Sequence, residues 1–531
     1  MRAFDEIRRI KHSRALMQAG KLCFVILASA AIVAHAQEPQ PQLNAPVPQK
    51  TRETRVLTLQ DCIQLALKHN LDIAIQRYNP EINQFALNIN SAFYEPTLGF
   101  RATHSFNSSP GGINPQTGLP FNSSERNTDS ILPEFSGTVP SGDLPIGGLT
   151  YDVTGPLQEQ TGSSVPPGSS FRYTSSPGIT LRQPLLRNLW IDNNRFQILL
   201  SKNTLKNSEE VLRQQIMTTV TSVEQAYYEL IFARENVKVN QAALQLAEQQ
   251  YAQDRKRVEV GALAQLDEKQ SESQAASSRA DLVLAQQTQG TQENVLKGLL
   301  TDNYSEWVNV TPVPMEQLTA MPQEFDLQAS WRAALANRPD IMEQRINLDR
   351  QNITVKYNYN QLFPEVDLTG SYGRNAANAT LSGNLNDIRE ERNPFYSYGV
   401  VVSVPLGNRA ARNSYKSAKV SAKQAVLELK RLEQSAIVAV ENDVGQVRAD
   451  LLTIQARKDA RIFAEDALAA EQKKLENGKS TTFNVLSLQS KLTTARSAEI
   501  RALANYSEHL AQLALDEGMT LDKNHIDFKV R

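Results

Sequence analysis

One segment of this chain is written twice at a fixed spacing. Leu59, Gln60, Ala66, Leu67, Asp72, Ile73, Gln76, Arg77, Asn79, Asn90 and Pro96 recur as Leu327, Gln328, Ala334, Leu335, Asp340, Ile341, Gln344, Arg345, Asn347, Asn358 and Pro364, each 268 positions later and without a gap. Such a duplication means that one supersecondary unit is used twice. Function is then to be sought in a pseudo-symmetric assembly before any single catalytic pocket.

Residues 1–36 read as a secretory signal peptide. Arg8, Arg9, Lys11, Arg14 and Lys21 precede an apolar run from Leu22 to Ala34, and Ala34-His35-Ala36 offers a small-x-small cleavage site. The run is about 13 residues long, short of the roughly 20 that a membrane-spanning helix needs. Cleavage after Ala36 therefore leaves an expected mature chain without a transmembrane helix. Cys23 lacks the small-residue triplet that accompanies lipid attachment. Cys62 falls at helical spacing among Leu59, Ile63 and Leu67 and reads as a small core residue, not a reactive thiol.

Composition excludes several classes. A formal net charge of −1 argues against a nucleic-acid partner, which requires a basic face. Mean hydropathy of −0.41 is wrong for a helical membrane protein. The sequence has no HExxH, CxxC, GxSxG or Walker motif, so neither catalysis nor a metal or cofactor site is expected.

Residues 37–56 are rich in Pro and Gln and predict a disordered linker. Helical periodicity runs from about Leu59 to Ala92 and stops near Pro96. Four alternating segments follow, at about 97–106, 178–185, 365–374 and 398–406. In the first, Leu98, Phe100, Ala102 and Phe106 alternate with Arg101, Thr103 and Ser105; in the last, Tyr398, Val400, Val402 and Val404 share one face. Each is close to the 9 to 11 residues of a tilted transmembrane strand. Arg101, Arg182, Glu365 and Asp367 then belong on the lumen side, because a charged residue facing lipid costs about 2 to 4 kcal/mol at the midplane for Arg. The stretch 107–176, dense in Gly, Pro, Ser and Asn, is 47 residues longer than its counterpart and predicts an extracellular loop.

Ile216, Val223, Leu230, Val237, Leu244, Tyr251 and Val258 keep a strict seven-residue spacing, echoed by Val440, Val447, Ile454, Leu468 and Leu475 with a break at Arg461. Such a seam needs a facing helix. Residues 195–259 reach about 97 Å at 1.5 Å per residue, and the shorter helices before and after them, stacked end to end, cover the same length. Glycines 261 and 478 mark the reversals. Heptads alone also fit a coiled-coil envelope scaffold, but that reading leaves the four strands unexplained.

Leu57-Thr58-Leu59-Gln60-Asp61, Gln183-Pro184-Leu185, Ala226-Tyr227-Tyr228-Glu229-Leu230 and Val260-Gly261-Ala262-Leu263-Ala264-Gln265-Leu266-Asp267 resemble the outer membrane efflux protein family, the TolC-like channels. The resemblance covers nearly all of the expected mature chain, in both halves. It implies a mainly α fold with transmembrane β: two structural repeats, 57–310 and 311–518, followed by a C-terminal tail, 519–531. Four strands per chain would contribute to a twelve-stranded trimeric barrel above a long periplasmic α-helical barrel. Four strands cannot close a barrel alone, since the smallest single-chain outer-membrane barrels have about eight.

The resemblance further implies a homotrimer in outer membrane lipids, working with a periplasmic adaptor and an inner-membrane pump as a passive exit duct; drug efflux, metal efflux and type I protein secretion share that architecture. Carried over by motif, adaptor docking falls on Val260, Gly261, Ala262, Leu266 and Asp267, and on Gly478, Ser480, Phe483 and Val485. The periplasmic constriction falls on Asn484 and Ser487. Many relatives carry acids at those two places, so a ring of Asn484 is expected to be neutral and only weakly cation-preferring.

Overall fold

The computed structural model describes residues 53–140, 147–163 and 171–527. The expected signal peptide, residues 37–52 of the expected linker and residues 528–531 of the tail lie outside the described residues. Along the chain, β1 (Glu53–Leu57) leads into α1 (Leu59–His69) and α2 (Leu71–Ser91). The strands β2 (Thr97–Ser109), β3 (Ser124–Thr138), β4 (Thr150–Thr154), β5 (Leu157–Gly162), β6 (Phe171–Ser175) and β7 (Gly178–Pro184) follow. Two long helices, α3 (Asn193–Glu259) and α4 (Gln265–Leu300), complete the first repeat. The second repeat runs β8 (Val310–Pro314), α5 (Leu327–Asn337), α6 (Pro339–Asn360), β9 (Glu365–Arg374), β10 (Ala376–Asn378), α7 (Leu381–Arg389) and β11 (Pro394–Ser403), and then α8 (Arg409–Glu476), α9 (Thr482–Asp516) and the short α10 (Thr520–Lys523).

The first-half heptad positions nearest the middle of α3 are its core. Ile216, Val223 and Leu230 are buried with Thr219, Ala226 and Ala233 beside them, against Cys62, Ile63, Leu296 and Leu300. Small residues at this seam let the helix axes approach closely. Burial pushes the Cys62 thiol up to about 12, so it is protonated and inert. Val440, Val444 and Val447 form the second core with Tyr506 and Leu513. Arg461, the break in the second seam, is held by Glu499 (2.5 Å) and Glu465 (2.9 Å). The ion pairs carry the packing position that an aliphatic residue fills elsewhere.

The leading helix of each repeat is broken, where periodicity predicts one continuous helix. The break residues are Asn70 (φ −66°, ψ 125°) and Arg338 (φ −64°, ψ 123°), 268 positions apart. Asn70 Oδ1 accepts from the backbone N–H groups of Asp72 (2.9 Å) and Ile73 (3.2 Å), the N-cap arrangement that starts a new helix. Its Nδ2 donates to the Leu299 carbonyl at 3.1 Å. In the second repeat the Arg338 guanidinium reaches Asp340 (2.9 Å) and the carboxylate and carbonyl of Asp516 (2.6 and 3.3 Å). Leu299 and Asp516 are 217 positions apart, the spacing that also separates the two helix reversals. Each break is thus latched to the end of the returning helix, by an amide in one repeat and by an ion pair in the other.

Beside the second latch, burial, and then a hydrogen bond shared with Asp516, pushes Asp443 up to about 7. The folded chain therefore binds a proton that the unfolded chain releases near pH 4. Stability from this site is present at low pH and is lost as pH rises from about 4 through about 7, with no further slope above. Melting temperatures taken between pH 4 and 8 should fall more steeply with pH for the natural chain than for Asp443→Asn; equal slopes would refute the assignment.

Three expectations change here. Residues 53–56, expected in the linker, belong to β1, which pairs in parallel with β8; the Tyr227 hydroxyl closes this pair, donating to the Leu57 carbonyl (3.1 Å) and accepting from Met315 N–H (3.2 Å). Residues 519–527 are docked, not a free tail: Leu521 is buried in the first core and Asn524 Nδ2 donates to Glu224 (2.9 Å) on α3. The third change is in the sheet. All four expected strands are present as β2, β7, β9 and β11, but the described residues of 107–176 are largely strand and lie between the first two of them.

The sheet runs as six antiparallel paths. β2 pairs with β3, and β3 with both β4 and β5; β4 and β5 pair in turn with β7 and β6. β7 and β6 then pair with β9 and β10, and β9 with β11. The register is unchanged across the interruptions at Gly155-Pro156 and Ser176-Pro177, so 150–162, 171–184 and 365–378 each act as one long strand. Proline removes a ladder donor at each interruption without shifting the pairing.

Candidate functional site: the sheet and the helix tips

Registry fixes which side chains share a face, because directly paired residues point the same way. Leu98, Phe100 and Ala102 on β2 lie beside Phe135, Pro133 and Ile131 on β3. That face continues through Val153 and Ile179 to Leu368, Tyr372, Tyr396, Tyr398, Val400 and Val402. The large apolar members of this band are exposed, Leu98 at 81% and Tyr398 at 84%. The opposite face carries Arg101, Thr103, Ser130, Glu134, Asp152, Thr180, Arg182, Glu365, Asp367 and Ser371, with Leu132 and Val401 as apolar exceptions. One apolar and one polar face on an antiparallel sheet is the pattern of a barrel wall between lipid and water. No described helix is long and apolar enough to cross a membrane.

The four charged residues singled out from the sequence all fall on the polar face. Three of them meet: Arg182 Nε donates to Asp367 Oδ2 at 2.7 Å, and its Nη2 reaches Glu365 at 2.5 Å. Asp367 is almost wholly buried beneath the arginine. Arg101 stands apart, on β2. The cluster borders a hollow where sheet meets helices, lined also by Phe93, Thr138, Gly148, Asn188 and Asp192.

At the far end of the long helices, both reversals use a glycine in the left-handed region, Gly261 at φ +75° and Gly478 at φ +69°, where other residues are strained. Val260, Gly261, Ala262, Leu266, Gly478, Phe483 and Asn484 are exposed, with Val260 at 78%, Leu266 at 68% and Phe483 at 62%; Asp267, Ser480 and Ser487 are half-buried. Val485 is different. It is fully buried with Leu468 and Leu492, so it holds the turn together and presents nothing to a partner. The helix-period pattern explains this: Val485 falls one turn before Gln489 and two before Leu492 on the inward stripe, whereas Phe483 projects outward.

Each tip is stapled by an acid on its long helix, a feature that the sequence analysis missed. Asp254 is buried and accepts from Gln250 Nε2 (2.9 Å) and from Ser271. Glu471, 217 positions later, accepts from Ser480 (2.5 Å) and Lys474 (3.0 Å). Those two bonds hold the Glu471 carboxyl below its ordinary range. The spacing was the available signal, since it equals that of the glycines. Asn484 Nδ2 donates to Ser480 at 3.4 Å and its backbone N–H to Thr481 Oγ1, the cap of α9.

The sequence pattern of the outer membrane efflux protein family matches residues 158–301 and 331–515, more than half of the chain. The chain belongs to the outer membrane efflux protein family. It is 25% identical over 358 residues to outer membrane protein TolC of Vibrio cholerae, covering 66% of this chain and 78% of that relative. It is 23% identical over 357 residues to outer membrane efflux protein BepC of Brucella suis, covering 66% and 73%. Among solved structures, a membrane protein from Pseudomonas aeruginosa superposes with a TM-score of 0.64 at 17% identity, over 87% of this chain and 90% of the other.

As an outer membrane efflux protein the chain resides in the cell outer membrane, with its helices on the periplasmic side. The family pattern begins only at residue 158 and so leaves out β2, β3 and β4.

Proposed function

We propose that three copies of this chain close their sheets into one barrel and their helices into one periplasmic tube, forming the passive exit duct of a tripartite efflux pump. The observation that carries this reading is the open sheet. Among the described residues β2 pairs on one side only, with β3, and β11 on one side only, with β9. In lipid each unpaired backbone group costs several kcal/mol, so a spanning sheet must close on itself. Copies placed edge to edge satisfy both free ladders at once.

α3 and α8, of 67 and 68 residues, each extend about 100 Å at 1.5 Å per residue. That length carries the apolar tip residues deep into the periplasm, where an adaptor from an inner-membrane pump is to be met by Val260, Ala262, Leu266 and Phe483, with Gly261 and Gly478 shaping the turns and Asp267 and Ser480 at their margins. Asn484 and Ser487 form the constriction, and Arg101, Arg182, Glu365 and Asp367 line the barrel. Transport is driven by the pump; the duct contributes a sheltered path.

Trimers extracted in detergent from the outer membrane should conduct ions in planar bilayers, and deleting the gene should sensitise cells to the pump's substrates. A soluble monomer or fibre would refute the duct. With Asn484 at the constriction, cation preference should be weak, and Asn484→Asp should increase the cation-to-anion permeability ratio several-fold. Strong cation selectivity in the natural channel, abolished by removing another acid, would contradict that placement.

A further inference from the structure

We propose that residues 124–138 and 150–162 supply two additional membrane-spanning strands, so that the trimer closes an eighteen-stranded barrel, six paths from each of three chains, in place of twelve. The inference rests on the trimeric-duct reading above and concerns the width and wall of the same pore.

Three observations carry it. First, the added pair is inside the ladder and not appended to it: β2 and β7, neighbours if only four strands spanned, share no pairing, and β3 with the β4–β5 path stands between them. The β2–β3 ladder runs the full 13 residues from Thr97↔Ser136 to Ser109↔Ser124, longer than the roughly 9 to 11 residues needed to span.

Second, the added strands repeat the two-faced pattern of the others. Ile131, Pro133, Phe135, Tyr151 and Val153 continue the apolar band, while Ser130, Glu134, Asp152 and Thr154 continue the polar one. The Tyr151 ring lies over Gly137 across the strands, as the Phe395 ring lies over Gly373 in the second repeat. A flap lying on the outer surface would instead leave the band from Ile131 to Val153 in water.

Third, the pair spans the whole height of the wall. At its lower end Thr138 and Thr150 border the junction with the helices, where Gln183 Nε2 donates to the Gly147 carbonyl at 3.1 Å. Its upper end closes where Ser163 N–H donates to the Glu125 carbonyl at 3.0 Å, level with the end of β2 at Ser109↔Ser124.

Barrel diameter grows roughly linearly with strand number, so the lumen would be about half as wide again as in a twelve-stranded barrel. The wall then ceases to select by size, and selection falls to the helix tips. The added strands also put Glu134 and Asp152 into the lumen, two acids from each chain.

Cysteine pairs in the full-length chain test this directly, in outer membranes oxidised mildly. Thr103→Cys with Ser130→Cys, directly opposed across β2 and β3, should form an intrachain disulfide, and Thr103→Cys with Thr174→Cys, the β6 position in the same row two paths beyond β3, should not. The reverse result would overturn the proposal. Single cysteines give a second readout that needs no disulfide geometry: a membrane-impermeant maleimide should label Ser130→Cys and Asp152→Cys at least tenfold faster than Ile131→Cys and Val153→Cys. Equal labelling of all four in preparations that are trimeric by crosslinking would overturn the added strands and leave the duct intact. Absence of trimers in the same membranes would overturn the duct and this inference with it.

Discussion

Arg338→Ala is expected to destabilise the folded chain by about 3 kcal/mol, the lower end of the cost of removing one partner from a buried ion pair, because this cluster keeps some contact with water. The side chains of Arg338 and Asp516 are each 17% exposed, and Asp340 and Asp443 lie alongside. Removing the guanidinium strands three carboxyl groups around one break in the backbone. The acids respond by holding protons, so the deficit should be larger at pH 8 than at pH 5, where protonation relieves the repulsion. Arg338→Lys keeps the charge but not the fork that serves two carboxylates, and should fall between the two. Asn70→Ala removes a neutral cap and should cost only about 1 kcal/mol. Chemical denaturation of the purified protein, read at both pH values, checks the order; equal losses at positions 70 and 338 would contradict the charged-latch account.

A second large effect is expected at the tips. Leu266→Glu combined with Phe483→Glu should reduce export to the level of cells lacking the gene, while barrel assembly and single-channel conductance stay unchanged. Both side chains are more than half exposed, so the chain loses little stability by the change. Burying each against a partner is worth roughly 1.5 to 3 kcal/mol, which is more than tenfold in affinity per contact. In the proposed trimer the loss would be multiplied. Val485→Glu makes the contrast: it should fail through misfolding of the tip, because Val485 is fully buried. Retained export by the double variant, with normal amounts in the membrane, would sink the assignment of these residues to docking.

Much of the fold could be read from the sequence because its strongest signals are periodic. The seven-residue seam pointed to both long helices, the expected span 195–259 lies within two residues of α3 (Asn193–Glu259), and the 217-residue spacing marked both reversals. The breaks at Asn70 and Arg338 escaped because helical periodicity continues through them; only Pro339, next to the second, hinted at a new helix start. The inserted strands escaped for a different reason. Ile131, Pro133 and Phe135 alternate with Leu132 and Glu134, and Tyr151 and Val153 with Asp152 and Thr154, but Gly and Pro around them outweighed the alternation. Their partners are what make them strands: β3 is flanked by a full ladder on each side, and no local propensity scale counts a neighbour. Val485 was misplaced because a motif gives position along the chain but not the direction in which a side chain points.

In the proposed ring of three chains, the two latches, one an amide at Asn70 and the other an ion pair at Arg338, would have a mechanical consequence. Around such a collar the joints alternate in kind, neutral then charged, six in all from two per chain. A change of pH would act on every second joint, through the carboxyl groups around Arg338, and not on the amide joints between them. A tube built of two nearly identical halves would then have joints of threefold, not sixfold, symmetry.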